Sequence, residues 1–317
     1  MITTSTAFMR WILRPGWPRI LISAGDIIDQ PVRQRVRRWP LWLLPVVLSG
    51  CSMVQTVYNR STDLAYWWID GFVDVTSEQR PVLMDDLQTY QLWHRTTQLP
   101  RYTQWLQQLQ TMALQDVSAE QSCTLYHDIW NSLLTLAEPA EAGTARLVSS
   151  LSAEQVEHLR NKIERHHRDW RRDWVEPGPP DVLEKRVKRA RERAEDFYGR
   201  LDANQQRLLR LQAERSPFDG AMSEAIRLRR QDDIVSTLRG LQQLPPPPEE
   251  MRRQVRALLQ RSVVSPVPAQ QAYVNRLNDY NCRAMAQLHN STNAEQRQAA
   301  FKRLQKYERD ARALMVR

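Results

Sequence analysis

Three cysteines and six histidines are the side chains in this chain with most scope for nucleophilic, redox or metal chemistry. Cys51 closes an apolar run, whereas Cys123 and Cys282 sit far apart inside helical patterns. These two are candidates either for a disulfide, if the chain works in an oxidising compartment, or for two separate, partly buried thiols. A bridge needs Cα atoms within roughly 7 Å, which spacing alone does not establish. His166 and His167, beside Glu164, Asp169 and Asp173, resemble a metal cluster at first sight. Adjacent helical residues point about 100° apart, however, and no two histidines stand four residues apart, so a solvated polar helix face is expected there and no metal ligand set. His94 and His127 lie near an acid or in an aromatic context, but no motif assembles a nucleophile, a base and an orienting group. With neither a glycine-rich phosphate loop nor a nucleophile elbow, the residues point to a non-enzyme without catalytic residues or cofactor.

The thiol with the clearest chemistry is Cys51. Val32 to Arg38 carries four arginines as a positive n-region, and Trp39 to Leu48 is an apolar h-region of secretory length. The run is too short for a membrane span, which takes roughly 20 apolar residues, and it contains Pro40 and Pro45. Leu48-Ser49-Gly50-Cys51 resembles the lipobox of bacterial lipoproteins, in which small residues admit a signal peptidase to the backbone and the thiol takes a diacylglycerol before cleavage. That resemblance implies a mature chain beginning at acylated Cys51, held to a membrane by acyl chains. Ser52, standing where an Asp commonly marks inner-membrane retention, implies an outer-membrane lipoprotein facing the periplasm. Residues 1–31 precede the n-region with Trp11, Trp17 and an acidic stretch from Asp26 to Asp29. They are read either as untranslated sequence upstream of a start at Val32 or Val36, or as an extended n-region. The expected organisation is a leader over 1–50, a lipidated tether over 51–57 and a helical domain over 58–317, with a sub-boundary candidate at 244–250.

The charge belongs partly to that leader. The formal net charge is +9, but residues 1–50 hold seven arginines against two acids, leaving 38 basic and 34 acidic residues from Cys51 onward. A nucleic-acid partner is therefore not expected.

What must position any site is a set of helices. Only 9 of 317 residues are glycine, and the dominant Arg, Gln, Leu, Ala and Glu lose little rotamer freedom in a helix, which predicts an all-α fold, an extended multi-helix array. Helix starts are marked by capping boxes at Thr76–Gln79, Ser118–Gln121, Ser152–Gln155, Asp202–Gln205 and Thr292–Glu295, four of them preceded by Val75, Val117, Leu151 and Leu201. Apolar stripes at helical spacing run through Tyr102, Trp105, Leu109 and Met112; Leu125, Ile129, Leu133 and Leu136; Tyr273, Leu277, Tyr280, Ala284 and Leu288; and Ala300, Leu304, Tyr307, Ala311 and Leu314. Breaks are predicted at Pro100, Pro139 to Gly143, Pro177 to Pro180, Ser216-Pro217, Pro245 to Pro248 and Pro266 to Pro268. The basic stretch Glu184 to Arg193 reads as a surface helix laced with ion pairs such as Glu184–Lys188, or alternatively as a contact for anionic head groups. Tyr66, Trp67 and Trp68 read as core anchors of the first helix, or as residues for a membrane interface.

The block from Tyr58-Asn59-Arg60 through Tyr66-Trp-Trp-Ile-Asp70, Phe72-Val-Asp74, Leu92-Trp-His94 and Leu99-Pro-Arg-Tyr102, together with Asn290, Gln296-Arg297 and Leu304 to Tyr307, resembles a family of uncharacterised helical bacterial lipoproteins. The resemblance implies no activity and carries no catalytic residue. More weakly, the Ser/Thr-x-x-Gln boxes are similar to the Leu-Thr-x-x-Gln motif of small helical periplasmic chaperones. The expectation is a non-catalytic envelope lipoprotein anchored by Cys51 that binds an unknown envelope partner or client. A chaperone or envelope-stress sensor is the alternative, and an unrecognised hydrolase with a deep titratable pocket the further one.

Overall fold

In the computed structural model, which describes residues 53–316 with the side chains of Leu133 and Leu134 excepted, every regular element among the described residues is helical. The chain divides into two units: Met1–Ser61, of which α1 (Met53–Asn59) is described, and Thr62–Arg317. The second holds α2 (Ser61–Val73) from that helix's second residue on, then α3 (Gln79–Trp93), a π turn (His94–Gln98), α4 (Leu99–Ala113), α5 (Ala119–Thr135), α6 (Ala137–Ser150), α7 (Ala153–Trp174), α8 (Pro179–Tyr198), α9 (Ala203–Arg215), α10 (Gly220–Gln243), α11 (Pro248–Val263), α12 (Pro268–Asn290) and α13 (Ala294–Met315). No described helix is long and apolar enough to cross a membrane.

The pairing of these helices is nested. α8 packs on α9, α7 on α10, α6 on α11, α5 on α12 and α4 on α13, so the chain runs out, turns back after Tyr198 and retraces its own path in antiparallel order. Gly199 makes that central turn at a φ of 84°, a left-handed conformation glycine adopts without a Cβ clash. Polar pairs fix the register along the seam. They run from Gln107 and Gln110 with Glu308, through Tyr126 with Asn278 and Arg256 with Glu141, to Arg239 with Glu157 and Arg210 with Glu184.

Packing explains the closest pair. Ala113, Ala300 and Ala311 are small and buried, so α4 and α13 approach over Leu106 and Leu304, with Phe197 and Tyr198 of α8 closing one side. Burying each such leucine is worth roughly 2 kcal/mol. The stripe expected on α4 is rotated: its buried residues are Leu99, Thr103, Leu106 and Ala113, while Tyr102, Trp105 and Met112 lie on the flank, half-buried. On α13 the buried set is Ala300, Leu304, Ala311 and Leu314, with Tyr307 partly covered.

Three local expectations are corrected. Pro100 does not break the chain, because the π turn ahead of it shifts the hydrogen bonds by one residue, Leu99 N–H donating to the His94 carbonyl, and the helical path continues into α4. Pro139 to Gly143 is not a loop either. Pro139 falls in the first turn of α6, where its missing N–H costs nothing, and Gly143 sits where a Cβ would come within 3.0 Å of the Asp86 side chain. The box expected at Thr292–Glu295 is displaced by one residue: Asn293 and Gln296 form it, and the Thr292 hydroxyl donates instead to the His289 carbonyl at 2.5 Å. The first helix of this unit, α2, ends at Val73. Asp74 takes a left-handed φ of 54°, and Asp70 Oδ1 accepts from Val75 N–H at 2.9 Å.

Candidate functional site

The capping boxes do more than start helices. At one station, Gln79 Oε1 accepts from Thr76 N–H at 3.0 Å and Gln155 Oε1 from Ser152 N–H at 2.9 Å. The two side-chain amides then bond each other reciprocally, at 3.1 and 2.8 Å. Their remaining N–H groups reach the carbonyls of Ser150 and Asp74, each two residues before the partner's cap. The arrangement is repeated at a second station by Gln205 and Gln296, which bond each other at 2.7 and 2.9 Å and donate to the carbonyls of Ser291 and Arg200. Every amide thus uses two donor and two acceptor positions, its full capacity. α3 is locked to α7 and α9 to α13, end to end. The box at Ser118–Gln121 is tied differently, since Asn290 of α12 bonds both Val117 N–H and the Val117 carbonyl, at 2.8 and 2.9 Å.

Beside the first station lies an open groove of about 370 Å³ between α3, α6 and the start of α7. Val82, Leu83 and Leu147 form its apolar lining, the Asp86–Arg146 ion pair its polar wall, and Val82 is half exposed. The amides of Thr76, Gln79, Ser152 and Gln155 beside it are already taken by glutamine and hydroxyl oxygens, and the groove presents shape and apolar surface.

Cys123 and Cys282 are joined by a disulfide between α5 and α12, their Cα atoms 4.9 Å apart. The bridge lies beside a buried polar pair, Tyr126 O–H on Asn278 Oδ1 at 3.1 Å, and burial pushes the Tyr126 hydroxyl well above its ordinary range. Ser122 O–H donates to the Cys282 carbonyl at 2.8 Å. Next to it, His127 Nε2 stands 3.3 Å from Asp279 Oδ1. Leu48, Ser49, Gly50 and Cys51 lie outside the described residues.

The histidines of α7 are not on a solvated face. His166 stacks on Phe72 at 5.2 Å, while His167 lies 3.2 Å from Glu224 and alongside Trp170, because α2 and α10 cover that side of the helix. The two rings meet different neighbours, as their angular separation requires. The basic stretch is laced with ion pairs as expected, but to residues of other helices, and part of it packs inward. Glu184 pairs with Arg210 of α9 rather than Lys188, Arg186 lies 4.7 Å over Phe218 and donates to the Ala213 carbonyl, and Lys185 and Arg189 cover Trp174 at 5.3 and 4.5 Å. These cations are packing groups whose stems and charges bury aromatic faces. Of the early aromatics, Tyr66 is buried under Arg80, Trp68 packs on Phe72, and Trp67 is 63% exposed.

The π turn collects a second aromatic group: Trp93, His94 and Tyr102 in edge contacts, with Trp105 stacked on Tyr102. Burial pushes His94 down to about 4. The unfolded chain, with histidine near 6.5, then binds the extra proton first, so stability rises with pH across this window. Acidification from about pH 6.5 towards about pH 4 is expected to lower the urea midpoint of the wild type more than that of a His94→Gln variant. Parallel pH dependences would show that His94 titrates as freely in the folded chain as in the unfolded one.

Fold and contacts together define an all-α protein of nested antiparallel helix pairs, tied at its helix ends by paired glutamines and across its seam by a disulfide. The chain belongs to DUF6279, a family of unknown function, which matches residues 71–264. That match runs from the end of α2 to the end of α11, so the closing helices α12 and α13, with Cys282 and Gln296, lie beyond it. Neither the curated proteins nor the solved structures compared with the chain contain a match.

Proposed function

We propose that this chain is an envelope lipoprotein, acylated at Cys51 and held at the periplasmic face of the outer membrane, whose helical body binds a protein partner without a catalytic step. The observation that carries this reading is the Cys123–Cys282 disulfide. Such bonds persist in oxidising compartments and are rare in the cytosol, so the bridge supports export on grounds independent of the leader. The arginine-rich n-region and Leu48-Ser49-Gly50-Cys51 supply the route and the anchor. Several acyl chains on one cysteine bury enough methylenes for stable anchoring, which a single chain does not.

Partner binding is the reading favoured for the body because the groove beside Gln79 and Gln155 offers apolar side chains framed by one ion pair. A client-holding chaperone is the alternative within the same reading. The likeness of the Gln boxes to a chaperone motif gives it little weight, since four of the five box glutamines are consumed in capping and in each other. The test is fractionation of cells carrying the full chain or its Cys51→Ala variant. The wild type is expected in the outer-membrane fraction and the variant, no longer acylated, off that membrane. Recovery of both in the cytosol would contradict the proposal.

A further inference from the structure

Cys123 and His127 stand four residues apart on α5, and Asp279 and Cys282 three apart on α12, so each helix presents its two side chains on one face. Antiparallel packing brings His127, Asp279 and Cys282 together, and the disulfide carries Cys123 to them. A His127 nitrogen, an Asp279 oxygen and Cys282 Sγ fall within 4.8 Å of one another, and Cys123 Sγ is bonded to the last of these. The His127 and Asp279 side chains are 44% and 58% exposed, which leaves the cluster open to solvent above a fully buried Cys282. Two sulfurs, one imidazole nitrogen and one carboxylate oxygen are a donor set suited to tetrahedral zinc. In the oxidised chain the sulfurs are bonded to each other and neither is a thiolate, the form that binds metal.

We propose that Cys123, His127, Asp279 and Cys282 form a zinc site available only when the disulfide is reduced, so that the same two cysteines join α5 to α12 by a covalent bond in one state and through a metal in the other. A dithiol reductant supplies two electrons and two protons, breaks the S–S bond, leaves both cysteines as thiols and departs as its own disulfide. Zinc then binds the two sulfurs with release of two protons, while neutral His127 and ionised Asp279 complete the set. The surrounding bonds keep the ligands gathered once the S–S bond opens: Ser122 on the Cys282 carbonyl and Tyr126 on Asn278 cross the same helix pair, and Asn290 of α12 holds Val117 just ahead of α5. The inference goes beyond the envelope reading and does not depend on Cys51.

The test uses the full chain and cobalt(II), which reports thiolate ligation by colour. After reduction by a water-soluble phosphine, which does not compete for metal as a dithiol would, one cobalt per chain is expected, with a sulfur-to-cobalt charge-transfer band and tetrahedral visible bands that zinc abolishes. The oxidised chain is expected to give none. His127→Ala and Asp279→Ala, both surface changes, are each expected to weaken cobalt binding by roughly tenfold or more. Equal cobalt binding before and after reduction, or unchanged affinity in both variants, would overturn the proposal. So would loss of helical circular dichroism on reduction alone, because the site requires α5 and α12 to stay paired with the bond open.

Discussion

Opening the Cys123–Cys282 bond, in the absence of metal, is expected to lower the unfolding free energy of the oxidised protein by about 2–5 kcal/mol. The two cysteines are separated by 159 residues, so the cross-link closes a loop holding most of the helical body. A loop of that size removes chain entropy from the unfolded state equivalent to about 5 kcal/mol in the simplest treatment, and residual structure in the unfolded chain reduces the figure. The nested topology adds a reason for the bond to matter. Its partner helices α5 and α12 lie on opposite sides of the central turn, and loop closure between them is the costly step that the covalent link removes. Urea titrations of the oxidised protein, the reduced protein with chelator and a Cys123→Ala/Cys282→Ala variant measure this directly. The reduced protein and the variant are expected to unfold at similar, lower urea concentrations. Three coincident curves would show that the bond contributes nothing.

Gln205→Leu is expected to cost about 2–4 kcal/mol, an unusually large penalty for losing one side-chain amide. Gln205 is 1% exposed, and its removal leaves Asp202 N–H, the Ser291 carbonyl and one donor and one acceptor of Gln296 without their partners. Gln121→Leu is the matched control. Gln121 caps its own helix but belongs to no mutual pair, so the ordinary cost of a lost cap, about 1 kcal/mol, applies. Gln205→Leu and Gln296→Leu together are expected to cost less than the two separately, by about 0.5–3 kcal/mol, because each single change already strands the other amide. Additive costs, or a Gln205→Leu penalty no greater than that of Gln121→Leu, would show the pairing to be incidental.

The helices themselves were legible in the sequence because their signals are local. A cap and its glutamine lie three residues apart, and Pro177, Pro179, Pro180, Pro217, Pro245 to Pro248, Pro266 and Pro268 fall in loops or first turns as their missing N–H requires. The errors also have local causes. Thr292 and Asn293 are both competent caps, and Gln296 outcompetes Glu295 because only an amide can donate to Arg200 and Gln205 while accepting from its own cap. Pro100 reads as a break because a single extra residue in the π turn, which absorbs it, leaves no compositional trace. What the sequence does not carry is which helix meets which. The pairing of Gln79 with Gln155 and of Gln205 with Gln296, and the meeting of Cys123 and His127 with Asp279 and Cys282, depend on the nested order of helices far apart in the chain. A search for paired histidines passes over the last cluster, since its ligands are one Cys–His step and one Asp–Cys step on separate helices.

The most direct test of the envelope reading is the intact mass of the mature protein extracted from membranes. The account predicts a chain that begins at Cys51, carries the mass of a diacylglycerol and an additional acyl group, and gains no mass from alkylation at Cys123 or Cys282 until it is reduced. A chain that retains residues 1–50, bears no lipid and alkylates freely at both cysteines would contradict it.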